Sequence, residues 1–65
     1  MKLLVNGEPH EVSAQSLDAL LAELEFEGEW LATAVNSELV RATERQDCLL
    51  SEGDRIEILT PKQGG

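Results

Sequence analysis

Cysteine, histidine, aromatic residues and basic side chains are all scarce in this 65-residue chain, and each scarcity excludes something. A single cysteine, Cys48, permits no internal disulfide, and with the single histidine, His10, it falls short of a four-ligand Cys/His zinc site. Trp30 and Phe26 are the only aromatics, so the core must be aliphatic. Five Lys and Arg stand against thirteen Asp and Glu, a formal charge of −8, which disfavours binding to nucleic acid or anionic lipid. No apolar run reaches membrane-spanning length, and Met1-Lys2 precedes only Leu3-Leu4-Val5 before Asn6-Gly7 interrupts, unlike a signal peptide. These absences point to a small domain without membrane contact in a reduced, cytoplasmic setting.

What is present is an aliphatic core of Leu, Val and Ile within 42% hydrophobic residues. At this length stability must come from compact packing of regular elements. The charge is uneven. Between Lys2 and Arg41 there is no base, yet Glu8, Glu11, Asp18, Glu23, Glu25, Glu27, Glu29 and Glu38 all lie there. Such a surface is either a solubilising shell or a means of steering toward a basic partner.

Leu3 and Val5 alternate with Leu4 in a strand over residues 2–6, and Asn6-Gly7 signals a two-residue hairpin. A second strand over 8–12 contains Pro9, which suits an edge. Ser16 is the expected N-cap of a helix whose Leu17, Leu20, Leu21 and Leu24 form one apolar stripe. Gly28 is the expected helix exit, and Trp30 the expected anchor at the core edge. Residues 32–36 and 38–41 read as strands joined at Asn36-Ser37, residues 42–47 as polar and irregular, and Cys48-Leu49-Leu50 as extended. Ser51-Glu52-Gly53-Asp54 is a turn, and Arg55 to Leu59 alternates as a last strand, ended by Pro61. One helix with one apolar stripe must cover one face of a sheet, which gives a two-layer α+β domain. Leu3, Val5, Val12, Val35, Val40, Leu50, Ile56 and Ile58 should then face the leucines. Leu4 and Leu59 fall on the helix-free face, either as a docking patch or packed on neighbouring long side chains. His10 is expected to be an exposed polar residue of the edge strand, and Cys48 a partly buried small apolar one rather than a nucleophile.

The chain closes on Thr60-Pro61-Lys62-Gln63-Gly64-Gly65. Two glycines form a thread thin enough for a slot in which any Cβ would clash, and what such a thread delivers is a carboxylate. The alternative is a frayed end of small residues.

The order strand, strand, helix, then two or three strands, with a Gly-Gly ending, resembles the ubiquitin-like β-grasp. The residues Val5-Asn6-Gly7-Glu8, Ala34-Val35-Asn36, Glu38-Leu39-Val40 and the run from Glu52 to Gly65 resemble the ThiS family of thiamin-biosynthesis sulfur carriers. Ser37 stands where members often have glycine, and Arg41-Ala42 where a Pro-Arg pair is common. The resemblance implies a mixed sheet of four or five strands with one helix, a domain over 1–60 and a flexible tail over 61–65.

It also implies the chemistry. An E1-like adenylyltransferase of the ThiF type would spend ATP to adenylate the Gly65 carboxyl, and a sulfur donor such as a cysteine desulfurase would supply the sulfur. The thiocarboxylate would then serve a thiazole synthase of the ThiG type. Gly64 and Gln63 would thread the tail; the strand alternation, not the resemblance, offers Leu4 and Leu59 as the docking patch for partners, with packing on neighbouring side chains as the alternative. The chain itself would be a protein co-substrate, not an enzyme, with no bound cofactor or metal. Carriers for molybdopterin synthesis or tRNA thiolation, ubiquitin-like modifiers and plain interaction domains are the rival readings.

Overall fold

A computed structural model describes residues 1–26 and 30–60. Gly28, Pro61 and the tail residues Gln63, Gly64 and Gly65 lie outside these described residues. Strands β1 (Lys2–Val5) and β2 (Glu8–Glu11) are followed by helix α1 (Leu17–Glu23). Strands β3 (Ala32–Val35) and β4 (Glu38–Val40), a 3-10 helix (Ala42–Asp47) and strand β5 (Arg55–Leu59) complete the order. The five strands form one sheet ordered β2-β1-β5-β3-β4. β5 is parallel to β1 and antiparallel to β3, and Pro9 sits on the edge strand β2, as its missing N–H requires.

Both hairpins use two-residue turns with left-handed backbone at each position. Asn6 and Gly7 have φ of 51° and 84°, and Asn36 and Ser37 have 51° and 74°. This geometry matches the right-handed twist of the strands, and glycine or asparagine adopts it at least cost. Ser37 carries a Cβ there and is strained.

Helix α1 begins where expected: Ser16 Oγ accepts from Ala19 N at 3.2 Å. A helix of seven residues is not stable alone, so burial of Leu17, Leu20 and Leu21 holds it. Each such leucine contributes about 2 kcal/mol of apolar burial. They pack on Leu3, Val5, Val12, Leu50, Ile56 and Ile58, with Val35, Val40 and Leu24 half-buried at the margin. The helix stops earlier than Gly28. Leu24 caps it and Glu25 turns left-handed at φ 64°, with Phe26 N donating to Leu21 O at 2.9 Å and Glu25 N to Ala22 O at 3.1 Å. That is a Schellman closure with glutamate where glycine is usual.

Three other expectations are corrected. Residues 42–47 form a 3-10 helix instead of an irregular loop, opened by a bond from Arg41 N to Glu44 Oε1 at 3.1 Å. Its Arg45 is buried, donating from Nη2 to Leu31 O at 2.7 Å and from Nε to Thr33 Oγ1 at 3.1 Å. Thr33 is buried with it and donates onward to Val40 O at 2.8 Å. Trp30 is no core anchor: it is 77% exposed. His10 is half-buried, because it pairs with Leu3 and shares the parity of the helix-covered face. Cys48-Leu49-Leu50 is extended as read. It is tied to the start of α1 by Leu17 N to Cys48 O and Leu50 N to Gln15 O, each 2.9 Å. The Glu23 carboxylate accepts from Ser13 N and Ala14 N and secures the loop before the helix.

The two strained positions generate a stability prediction. Glu25→Gly and Ser37→Gly should each raise the unfolding free energy by about 0.5–1 kcal/mol by removing a Cβ from left-handed backbone. Urea denaturation midpoints measure this; a lowered midpoint for either variant would contradict the strain assignment.

Candidate functional site

The site is built on the end of β5. This strand alternates Ile56 and Ile58 into the core with Arg55, Glu57 and Leu59 out, so its apolar side chains hold it at the centre of the sheet. Its register is pinned by side chains as well as by ladders. β1 ends at Val5, and the Asn6 amide continues the ladder: Ile58 N donates to Oδ1 at 2.8 Å and Nδ2 donates to Ile58 O at 3.1 Å. At the start of the strand Asn36 does the equivalent from the other side. Arg55 N donates to its Oδ1 at 2.9 Å, and its Nδ2 donates to Asp54 Oδ1 at 3.0 Å. Each asparagine thus shapes a turn with its backbone and holds β5 with its side chain. The last pair of the ladder joins Leu59 to Ala32, and from there the chain passes through Thr60 to the tail.

The helix-free face divides into two grooves. Leu59, 67% exposed, lines one with Ala32, Ala34, Leu39 and Glu57. Leu4, 37% exposed, lines the other with Gly7, Ser37, Arg55 and Glu57. Leu4 pairs with Arg55, four residues before Leu59 on the same strand, so the two leucines share a face but lie roughly 13 Å apart along it. Only Leu59 adjoins the exit to the tail. Leu39, 70% exposed, was not singled out from the sequence; the inward parity of Val40 is the signal that turns it outward.

No cluster of three or more His, Cys, Asp or Glu suited to a metal occurs among the described residues. No helix among them is long and apolar enough to cross a membrane. Cys48 is half-buried, and burial pushes its thiol above the ordinary cysteine range, with Asp54 and Glu44 adding to the effect. It is therefore a protonated, weakly nucleophilic thiol at neutral pH. What the arrangement does is root the chain beyond Thr60 in a strand bonded on both edges.

A model of the ThiS family matches residues 3–65, the whole chain but its first two residues. The chain belongs to the ThiS family. The sulfur carrier protein ThiS of Thermus thermophilus is 33% identical over 61 residues, covering 94% of this chain and 95% of that one. A thiazole synthase of Paramagnetospirillum magneticum is 35% identical over an alignment of 66 residues. This ThiS-family chain spans 20% of that longer protein's length. The crystal structure of the thiamine biosynthesis protein ThiS from Geobacter metallireducens superposes with a TM-score of 0.84 at 28% identity, covering 100% of both chains. The solution structure of a thiamine biosynthesis protein from Geobacter metallireducens matches with the same TM-score and covers 100% of this chain and 88% of that one. These matches place the mixed five-stranded sheet with its helix among the ThiS β-grasp folds.

Two predictions follow from the geometry. Asn6→Gly keeps the left-handed turn but deletes the amide that holds Ile58, and should cost about 1–2 kcal/mol. Amide hydrogen exchange at Ile58 should accelerate more than at Ile56, and equal protection at both positions would rule out the pinning. Cys48 should be alkylated by iodoacetamide at neutral pH more slowly than an unstructured cysteine peptide, with the rate recovering in urea. Labelling as fast as the peptide's would show an exposed, ionisable thiol.

Proposed function

We propose that this chain is a cytoplasmic sulfur carrier whose Gly65 carboxyl is converted to a thiocarboxylate for thiazole formation in thiamin biosynthesis. The single observation that carries the reading is that the family match extends through residue 65 and so includes Gln63-Gly64-Gly65. The names of its relatives, a sulfur carrier and a thiazole synthase, favour the thiamin pathway over other carriers.

The chemistry divides between this chain and its partners. A carboxylate is a poor electrophile because its charge is delocalised over two oxygens. Attack by a Gly65 oxygen on the α-phosphorus of ATP forms an acyl adenylate and releases pyrophosphate. Sulfide then adds to the acyl carbon, the bond to AMP breaks, and a thiocarboxylate remains. A ThiF-type adenylyltransferase would supply the ATP site, a cysteine desulfurase the sulfur as a persulfide that a thiol reduces to sulfide with formation of a disulfide, and a ThiG-type thiazole synthase would take it up. Charge stabilisation at the reacting carbon belongs to those enzymes. This chain contributes reach and register: β5 holds the root, Gln63 and Gly64 thread the tail, and Leu59 and Leu4 offer apolar contact on the helix-free face. In this role it is a co-substrate.

The reading is tested by intact mass after incubation with a ThiF-type enzyme, MgATP and sulfide. The expected product has one oxygen replaced by sulfur, localised to Gly65. Deletion of Gly65 should abolish this gain while leaving the unfolding midpoint unchanged, and a truncated chain that still loads would sink the model. Loading only by the activators of molybdopterin synthesis or tRNA thiolation would keep the carrier chemistry and change the pathway.

A further inference from the structure

Trp30 is the only tryptophan of the chain and is 77% exposed, although nothing in the carrier chemistry described above uses it. Its place in the fold gives it a use. β3 starts at Ala32, whose partner across the ladder is Leu59, the last residue of β5. Trp30 precedes Ala32 by two residues and therefore stands at the end of the sheet from which the tail leaves. Leu59, 67% exposed, lies at this end, and Leu39, 70% exposed, lines the same groove level with Ala34 and Glu57, two residues further back along the strands. Exposed large apolar side chains are ordinary when scattered, but here Trp30 and Leu59 stand at the exit and Leu39 lines the groove that runs back from it.

We infer that Trp30 is the anchor by which the ATP-using activating enzyme seats this chain, with Leu59 and Leu39 completing the contact. The inference rests on the carrier reading above, and two observations select the occupant. The tail beyond Thr60 is five residues and reaches at most about 18 Å when extended, so an enzyme acting on Gly65 must bring its wall against this end of the sheet. The apolar contact is thus continuous with the reacting terminus. An enzyme that holds a nucleoside triphosphate presents cationic groups around its site, and a chain of net charge −8 is complementary to such a rim. Tryptophan suits the role because it brings a large area with little rotamer freedom to lose, and it is enriched where interfaces concentrate their energy. Trp30 is a positioning residue, since it touches neither ATP nor the reacting carbon.

The test is steady-state loading by the ThiF-type enzyme with MgATP and sulfide. Trp30→Ala should raise KM for the carrier about tenfold or more, with kcat changed by less than about twofold and the unfolding midpoint unchanged. Trp30→Phe should recover most of the loss. Leu49→Ala is the matched control, because Leu49 is 75% exposed but lies beside the start of α1, bridged to Ser16; its KM should stay at the wild-type value. If wild type loads and Gly65 deletion abolishes loading, yet Trp30→Ala keeps the wild-type KM, the carrier reading stands and the anchor is wrong. A defect confined to kcat would also overturn it, as would one seen only in later sulfur donation to a thiazole synthase. If wild type does not load at all, the carrier reading falls and takes the anchor with it.

Discussion

Strand β5 is the last element among the described residues and the middle one of the sheet, and the domain is organised around its two ladders. Its parallel ladder to β1 joins residues 4 and 5 to residues 55 and 56, almost the full length of the chain. Closing that distance costs entropy before any contact offsets it. The offset comes from below, where Ile56 and Ile58 lie under the leucines of α1 with Leu3 and Val5 beside them. Remove β5 and the sheet separates into two hairpins, each with an unpaired edge and half a hydrophobic face. The helix, too short to persist alone, would have nothing continuous to cover.

The same constraint prepares the proposed function. A strand held on both edges, with Asn6 and Asn36 securing it beyond the reach of the backbone ladders, gives the following segment a fixed origin and direction. Chemistry on a terminal carboxyl needs that origin to be rigid, while the residues beyond it need only be narrow. Cys48 is half-buried, and burial pushes its thiol above the ordinary cysteine range.

Local compromises are visible where packing overrode backbone preference. Glu25 and Ser37 occupy left-handed positions that glycine would fill with less strain, and Arg45 is buried as a charge. For Arg45 the return is structural. Its guanidinium reaches Leu31 O and Thr33 Oγ1, and so ties the 3-10 helix to the start of β3, beside the end of β5. The polar run over 42–47 is thereby organised by a single long, buried side chain.

The amino-acid sequence by itself determined the periodic and the local features. Alternation at Leu3, Val5, Ile56 and Ile58, the leucine stripe of α1, its Ser16 cap and the two asparagine turns all depend on spacing or on a residue's own conformational range. The two-layer architecture follows from them, and so does the outward parity of Leu4 and Leu59. Only the tertiary structure decided which groups meet. It put β5 between β1 and β3, gave the Asn6 and Asn36 amides their second task, buried Arg45 with Thr33, and ended the helix at Glu25 before any glycine was reached. It separated Leu4 from Leu59 and left Trp30 exposed beside the tail. The physical reason is common to all of these. Each depends on which groups meet once the chain is packed, from the local closure at Glu25 to the Asn6 amide on Ile58, and neither hydrophobic period nor turn propensity names those partners.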